Sequence, residues 1–306
     1  MKRDLLTIRD LTADEIRRLI ARAQVMKREW AEGSLQPILS RRVLGLIFSK
    51  PSTRTRVSFE AAMYRLGGDC VFLTEKDSQI SRSEPLADTA RVLSRYTDAI
   101  AVRTFAQSDV EELARFSSIP VINALTDQFH PCQVLSDLLT IQEKRGSLDG
   151  LHVAWVGDGN NVAHSWINAA ARLGFTLSLA CPPGYEPSSE VLEWAKEHGT
   201  GTIQLTRDPH KAVLEADVLY TDVWASMGQE DEAENRRKVF REYQINASLM
   251  NAAPASAMVL HCLPAHRGEE ITADVLEGPR SAVFDQAENR LHFQMALLEW
   301  VITQKG

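Results

Sequence analysis

The stretch VLGLIFSKPSTRTR, residues 43–56, decides the fold class of this 306-residue chain. Residues 43–48 form a short apolar run that is typical of a buried β-strand. Ser52 is a favourable helix N-cap, and residues 53–66 have the pattern of a helix that ends at Gly67. A buried strand that continues into a helix is the repeating unit of parallel α/β sheets, and ligands bind beyond the carboxyl ends of such strands.

The rest of the chain repeats this alternation of strand and helix. The alternation predicts an α/β fold with two doubly wound parallel-sheet domains, divided near residues 140–150. Besides 43–48, the predicted strands are 70–74, 99–102, 119–123, 151–156, 175–180, 202–206, 217–221 and 257–260. The predicted helices are 14–32, 53–66, 85–96, 108–117, 131–145, 161–173, 189–198, 209–215, 231–242 and 286–304.

Composition excludes several classes of function. Hydrophobic residues make up 44% and charged residues 25% of the chain, which is usual for a soluble globular protein. The net charge of -7 predicts that the chain binds no nucleic acid. No apolar run approaches the roughly 18 residues of a membrane span, and no apolar stretch follows residues 1–4. We therefore expect no membrane partner and no signal peptide.

The four cysteines, Cys70, Cys132, Cys181 and Cys262, lie far apart in the sequence and show no Cys-x-x-Cys spacing. This pattern predicts reduced thiols in a cytoplasmic protein, and not a disulfide framework or a zinc cage. His261 precedes Cys262, but adjacent residues rarely converge on one ion. We therefore predict no metal site.

The start of the helix after Ser52 has the properties of an anion site. A helix N-terminus offers backbone N–H groups and a partial positive charge, and the hydroxyls of Thr53 and Thr55 add donors. Arg54 and Arg56 lie about 200° apart around a helix, so they cannot both face one ligand. We assign Arg54 to an anion and Arg56 to nearby carboxylates. A capped helix with solvated arginines explains this segment alone equally well.

Two further strand ends favour the functional interpretation. The strand 99–102 is followed by Arg103, and the strand 119–123 leads to His130, after which Pro131 can open a helix. A lone Arg or His is more often structural than catalytic. Three polar clusters after three strands of the first half nevertheless indicate a shared ligand site at the carboxyl ends of the strands.

These motifs together identify a family. Ser-Thr-Arg-Thr-Arg at 52–56, Arg103, His-Pro-Cys-Gln at 130–133 and His-Cys-Leu-Pro at 261–264 resemble the aspartate/ornithine carbamoyltransferase family, in order and over essentially the whole chain. The resemblance implies a carbamoyl-phosphate domain, an ornithine domain and a C-terminal helix that crosses back to the first domain. The corresponding ranges are 1–145, 146–288 and 289–306.

The resemblance also implies which residues bind carbamoyl phosphate. Carried over by position, they are Ser52, Thr53, Arg54, Thr55, Arg103, His130, Pro131, Cys132, Gln133, Cys262, Leu263 and Arg290. Gln79 would reach the same site from a neighbouring subunit, which implies a homotrimer with shared active sites.

The second half indicates the acceptor. Residues 157–161, Gly-Asp-Gly-Asn-Asn, follow a strand, but Val162 replaces the third glycine of a dinucleotide-binding fingerprint. The segment 222–228 resembles the ornithine loop of the family, and Cys262 stands where the aspartate branch carries Pro. Asp222 suits a substrate that bears an amine. By resemblance, the ornithine-binding residues are Asn161, Asp222, Ser226 and Met227.

The predicted reaction transfers the carbamoyl group of carbamoyl phosphate to the δ-amine of ornithine, giving citrulline and phosphate, as in arginine biosynthesis. Arg103, His130, Asp222 and Cys262 are the predicted catalytic residues. Carbamoyl phosphate is already activated, so no cofactor is needed. Three alternatives are a carbamoyltransferase for putrescine or an N-acylated ornithine, a nucleotide-dependent dehydrogenase built on residues 157–161, and an inactive relative.

Overall fold

The computed structural model of the protein describes residues 2–74, 84–225 and 232–303. The chain divides into two compact units. The first comprises Met1–Leu139 together with Asn289–Gly306, and the second comprises Thr140–Glu288.

The first unit is built on a parallel sheet. In the described residues this sheet has four strands in the order β2-β1-β3-β4, all parallel. β1 and β3 lie at its centre, and every residue of β3 is buried. The strands are β1 (Val43–Phe48), β2 (Asp69–Thr74), β3 (Ala99–Arg103) and β4 (Val121–Leu125). The helices are α1 (Ala13–Ala31), α2 (Thr53–Arg65), α3 (Leu86–Leu93), α4 (Gln107–Phe116) and α5 (Pro131–Arg145).

The second unit repeats this architecture. Its described strands form a parallel sheet in the order β7-β6-β5-β8-β9. Trp155, Trp166 and Tyr220 form its aromatic core, with the rings of Trp155 and Tyr220 stacked 5.3 Å apart. The strands are β5 (His152–Val156), β6 (Thr176–Ala180), β7 (Thr202–Thr206), β8 (Val218–Thr221) and β9 (Met258–His261). The helices are α6 (Asn161–Leu173), α7 (Ser189–His198), α8 (Pro209–Val213), α9 (Ala233–Val239), α10 (Ala247–Ala252), α11 (Ala273–Leu276) and α12 (Val283–Thr303).

The C-terminal helix belongs to the first unit from Asn289 onward. There Arg22 of α1 binds Glu299 through two hydrogen bonds of 2.7 and 3.0 Å, and Lys27 donates to the Asn289 side chain at 2.7 Å. The predicted fold class, including the return of this helix, is confirmed.

Several predicted boundaries were wrong by a few residues. β4 begins at Val121 and not at Ile119, because Pro120 has no N–H to contribute to a sheet ladder. β9 extends to His261, so Cys262 is the first residue after the strand. The short helices α10 and α11 were not predicted. Six and four residues, respectively, are too few to produce a clear apolar period.

Candidate active site

The N-terminus of α2 lies directly after β1. Ser52 has an extended backbone, and its hydroxyl accepts the N–H of Thr55 at 3.2 Å, as the sequence predicted for an N-cap. The remaining N–H groups of the first turn give this helix end its positive potential. Arg56 turns away from it: its Nε donates to Glu60 Oε1 at 3.0 Å, and its guanidinium lies 3.5 Å from the Phe72 ring centre. The predicted carboxylate partner of Arg56 is confirmed.

A buried hydrogen-bond network joins α2, α5 and α12. The Arg290 guanidinium donates from Nη1 to Gln133 Oε1 at 2.5 Å and from Nη2 to Thr55 Oγ1 at 2.8 Å. Gln133 in turn donates to Asp137 Oδ1 at 2.8 Å. Asp137 is fully buried, so this bond satisfies part of its carboxyl group and orients Gln133 with its side-chain oxygen toward the arginine. The structure thus brings together three predicted ligands that are far apart in the sequence.

Arg103 and His130 lie at the ends of the two neighbouring strands. The register of β3 against β4 shifts between Val102 and Arg103, an irregularity that re-aims a side chain at the end of a strand. His130 immediately precedes α5. Burial, and then the charges of Arg290, Arg103 and Arg54, hold the pKa of His130 well below its usual range. His130 is therefore neutral at pH 7 and surrounded by guanidinium charge.

Cys132, another predicted carbamoyl-phosphate ligand, has its thiol occupied. Its Sγ donates to the backbone carbonyl of Asn123 at 3.4 Å, and burial raises its pKa to about 12. The group is a neutral thiol that packs against β4. Lys50 follows β1, is buried, forms an ion pair with Asp127 and lies 4.2 Å from the Phe105 ring centre. The sequence interpretation missed Lys50 because a lone lysine before Pro looks like a surface residue.

The second unit presents a different set of groups at its strand ends. Asp222 follows β8, and its Oδ1 accepts the Cys262 thiol at 2.9 Å and the backbone N–H of Val223 at 2.8 Å. Its Oδ2 accepts the Asn160 side-chain amide at 2.8 Å. Because β5, β8 and β9 are neighbours in the sheet, residues from three strand ends converge on one carboxylate.

Asn160 is a site residue that the sequence interpretation missed. Its Oδ1 accepts the N–H groups of Val162 and Ala163 at 2.9 and 3.2 Å, which caps α6, while its amide donates to Asp222. The signal was available, because Asn before a helix is a favoured cap. Asn161, the predicted ligand, is the first residue of α6 and is partly buried.

The glycines of residues 157–159 have a structural explanation. A Cβ on Gly159 would lie 2.3 Å from the backbone nitrogen of Pro187, so the close approach of another segment of this chain requires glycine there. Gly157 has φ of 137°, in the range that favours glycine. Neither glycine needs a nucleotide to explain it, which counts against the dehydrogenase alternative.

Asp158 brings a second acidic group to this region. Arg236 Nη1 donates to Asp158 Oδ2 at 2.8 Å and to the Trp224 carbonyl at 2.9 Å, and its Nε donates to Glu232 Oε2 at 3.1 Å. Burial raises the pKa of Asp158 to about 6, with Asp222 adding to the rise and Arg236 opposing it. The second unit thus carries Asp158 and Asp222 after its strands, whereas the first unit carries arginines.

The remaining predicted residues have these positions. Ser52, Thr53 and Arg54 lie at the start of α2, and Pro131 opens α5. Cys262 and Leu263, also predicted to bind carbamoyl phosphate, lie in the second unit after β9. Gln79, Ser226 and Met227 lie outside the described residues.

Two groups of described side chains have metal-ligating atoms within 4.8 Å of one another: Asp222 with His261 and Cys262, and His266 with Glu269 and Glu270. In the first group both ring nitrogens of His261 are engaged. Nδ1 accepts the Leu263 N–H at 2.8 Å, and Nε2 lies 3.1 Å from Glu270 Oε1. A metal would have to displace one of these bonds. Over the described ranges, no helix is long and apolar enough to span a membrane.

Two family models match consecutive parts of the chain. The profile described as aspartate/ornithine carbamoyltransferase, carbamoyl-P binding domain, matches residues 3–143, and the one described as Asp/Orn binding domain matches residues 149–301. The chain therefore belongs to the aspartate/ornithine carbamoyltransferase family, as its motifs indicated.

Similar proteins within that family carry a more specific name. The chain is 58% identical to the ornithine carbamoyltransferase of Desulfotalea psychrophila, over 96% of this chain and 97% of that one. It is 52% identical to the anabolic ornithine carbamoyltransferase of Pyrococcus furiosus, over 98% and 96%. A solved structure of ornithine carbamoyltransferase from Pyrococcus furiosus has a TM-score of 0.96, at 52% identity, and covers 100% of this chain and 98% of its own.

Proposed function

We propose that this chain transfers the carbamoyl group of carbamoyl phosphate to the δ-amine of L-ornithine and releases L-citrulline and phosphate. Relatives at 52–58% identity over nearly the whole chain are named ornithine carbamoyltransferases. The observation that carries the choice of acceptor is the convergence of Cys262 and Asn160 on Asp222. A carboxylate held at a strand end attracts an amine and repels an aspartate side chain.

In this proposal the first unit binds carbamoyl phosphate. The N-terminus of α2 and Arg54 hold the phosphate, and Arg103 and His130 face the carbonyl oxygen. A neutral His130 can donate an N–H bond to that oxygen, and the buried arginines stabilise the charge that develops on it. The proposed ligands within this unit are Ser52, Thr53, Arg54, Thr55, Arg103, His130, Pro131, Cys132, Gln133 and Arg290.

The second unit binds ornithine, and its proposed ligands are Asn161, Asp222, Ser226 and Met227. Asp222 and Cys262 orient the δ-amine, which must be neutral to attack because an ammonium has no lone pair. The amine nitrogen bonds to the carbonyl carbon, the bond from that carbon to the phosphate oxygen breaks, and phosphate leaves with the bonding electrons. The attacking nitrogen loses one proton, which the departing phosphate can take up because it leaves with the bonding electrons and becomes more basic.

An acceptor panel tests the proposal. The purified protein is incubated with carbamoyl phosphate and, separately, with ornithine, putrescine, N-acetylornithine or aspartate, and the carbamoylated product and phosphate are measured. We expect ornithine to exceed every other acceptor in kcat/KM by at least about a hundredfold, because a site built to bond polar groups rejects analogues that lack them. Higher activity with putrescine or N-acetylornithine would assign the chain to another acceptor.

We also propose that the reaction serves arginine biosynthesis in the cytoplasm. Two relatives named anabolic support this direction. A gene-replacement test measures it: the chain should restore growth without arginine to a host that lacks its own ornithine carbamoyltransferase. Failure of that host to grow, with citrulline synthesis demonstrated in its extract, would contradict the biosynthetic assignment.

The proposed assembly is a homotrimer whose active sites are shared through Gln79. The test mixes the inactive variants Arg54→Ala and Gln79→Ala after dissociation and reassembly. In a closed ring, a site is intact when Arg54 comes from one chain and Gln79 from the next, so random assembly should restore about a quarter of wild-type activity. No recovery, despite demonstrated subunit exchange, would mean that Gln79 does not act between subunits.

A further inference from the structure

His261 is held in one tautomer by the backbone two residues ahead of it. The side chain is fully buried, and its Nδ1 lies 2.8 Å from the N–H of Leu263. Because a backbone N–H can only donate, Nδ1 must present its lone pair, and the ring proton must be on Nε2. That proton points at Glu270 Oε1, at 3.1 Å.

Glu270 closes this arrangement from the other end of the same loop. Its side chain is fully buried, and the same Oε1 also accepts the backbone N–H of His266 at 2.6 Å. A buried carboxylate is costly unless it is hydrogen-bonded, and these two donors offset part of that cost. The bond between His261 and Glu270 therefore connects the last residue of β9 with the far end of the loop that follows it.

The loop has an unfavourable conformation at the point that this pair supports. Leu263 has φ of 56°, in the left-handed region that costs a non-glycine residue free energy and persists only where its surroundings impose it. Its N–H is the group that His261 Nδ1 accepts. The neighbouring residue, Cys262, donates its thiol to Asp222 at 2.9 Å. A rotation of the Leu263 peptide would move Cys262 away from that carboxylate.

On the basis of the function proposed above, we propose that Glu270 is a positioning residue of the acceptor site. Its carboxylate binds the Nε2–H of His261, and the Nδ1 lone pair then holds the left-handed turn at Leu263 that presents Cys262 to Asp222. Glu270 acts through His261 and does not touch the substrate. Its removal should affect the handling of the acceptor amine more than carbamoyl-phosphate binding, because Cys262 and Leu263 are only two of the predicted carbamoyl-phosphate ligands and the others lie in the first unit.

The test compares Glu270→Met with Glu270→Gln. Met keeps the approximate shape but is only a weak hydrogen-bond acceptor, so we expect the KM for ornithine to rise about tenfold, while the KM for carbamoyl phosphate should stay within about threefold of wild type. Gln keeps an oxygen acceptor and should stay within about threefold of wild type. Norvaline, which is ornithine without its δ-amine, should bind both variants as it binds wild type. Glu269→Met is the matched control, because Glu269 pairs with Arg237 and should leave the ornithine KM unchanged.

Two substitutions of His261 separate the two ring nitrogens. Asn places its oxygen near the position of Nδ1 and keeps an acceptor for the Leu263 N–H, whereas Gln reaches toward Glu270 and leaves that N–H without its acceptor. We therefore expect His261→Asn to retain a lower ornithine KM than His261→Gln. The reverse order would overturn the proposal, as would an unchanged ornithine KM in Glu270→Met.

A spectroscopic measurement keeps the inference separate from the proposed function. Nitrogen-15 correlation spectra of histidine-labelled wild type, assigned with His261→Asn, should show the Nε2–H tautomer at His261. An Nδ1–H or doubly protonated ring would overturn the inference even if citrulline forms normally. Failure of wild type to form citrulline would instead refute the proposed function and leave the tautomer result standing.

Discussion

The two sheets place an arginine and a carboxylate, Arg103 and Asp222, at equivalent strand ends. In the first unit, the ends of the neighbouring strands β1, β3 and β4 lead to Thr55, Arg103 and His130, and in the second unit those of β5, β8 and β9 lead to Asn160, Asp222 and Cys262. The architecture is the same on both sides, so it cannot itself determine which ligand each edge attracts. In the proposed function, the side chains at three strand ends make one sheet suit an anion and the other an amine.

Burial has opposite effects on ionisable groups at the two edges. At the strand ends of the first unit, which we call the basic edge, burial lowers the pKa of His130. The charges of Arg290, Arg103 and Arg54 lower it further, so His130 does not add a fourth positive charge. At the strand ends of the second unit, which we call the acidic edge, burial raises the pKa of Asp158 to about 6, and Asp222 contributes to the rise. Each edge therefore keeps its dominant charge and tends to neutralise the additional group of the same sign.

The largest effect should come from removing the arginine that the first turn of α2 provides. Arg54→Ala should lower kcat/KM for carbamoyl phosphate by about a thousandfold, because charge develops on the phosphate as it leaves. Steady-state kinetics measure this, with circular dichroism to show an intact fold. Arg56→Ala is the matched control, two residues away and paired with Glu60, and should remain near wild type. Equal losses in both variants would mean that the helix start, and not Arg54, is the feature that matters.

The acidic edge should show its charge in the pH dependence of stability. The pKa of Asp158, raised in the folded state to about 6, means that its contribution to stability is fully present below about 4 and is lost as pH rises through 6. Asn does not titrate. Between pH 4 and pH 7, the free energy of unfolding of Asp158→Asn relative to wild type should therefore shift in favour of the variant by up to about 3 kcal/mol. Urea unfolding at both pH values measures the shift, and a shift of the opposite sign would contradict the assignment.

A substitution of Asp222 tests whether the acidic edge needs the charge of this carboxylate. Asp222→Asn should lower kcat/KM for ornithine by about a hundredfold, because a carboxylate that accepts three donors is replaced by an amide. The dissociation constant of carbamoyl phosphate, measured by calorimetry, should not change. Asp88→Asn, at an exposed pair with Arg91, serves as the control. A large loss of carbamoyl-phosphate affinity would show that the two edges are not separate in function.

The smallest effect should distinguish the two cysteines. Serine keeps a donor for Asp222, so Cys262→Ser should change the melting temperature little. It removes the proposed contact of the thiol with the δ-amine, so the KM for ornithine should rise about tenfold. Cys132→Ser places a more polar group in a buried site and should lower the melting temperature without changing that KM. If Cys262→Ser lowered only stability, its thiol would have a structural role alone.

Patterns within a few neighbouring residues predicted most of the fold and the helix starts at the proposed carbamoyl-phosphate site. Ser52 and Pro131 mark helix starts because capping and N1 preferences depend on the nearest few residues, and both positions are confirmed. Arg54 and Arg56 are two residues apart, which is about 200° around a helix, so they cannot face the same ligand. This was enough to predict that Arg56 pairs with a carboxylate, as it does with Glu60.

Contacts between distant residues could not be found this way. Arg290 meets Thr55 from 235 positions away, and only the family resemblance indicated its role. The bond from Asn160 to Asp222 depends on which strands are neighbours in the sheet, and the bond from His261 to Glu270 depends on how the loop between them folds back. Spacing in one sequence carries neither kind of information. Gly159 was interpreted as a possible nucleotide signal, although it is required by the backbone of Pro187.

The discontinuous first unit has a consequence for synthesis of the chain. Its segment Asn289–Gly306 is translated after the whole of the second unit. The first unit therefore begins to be synthesised before the second unit but is completed after it. Until Arg290 has emerged, Thr55 and Gln133 lack the guanidinium that joins them in the finished protein. A nascent chain stalled before residue 289 would lack Arg290, so we expect it to bind carbamoyl phosphate more weakly than a chain that includes residues 289–303.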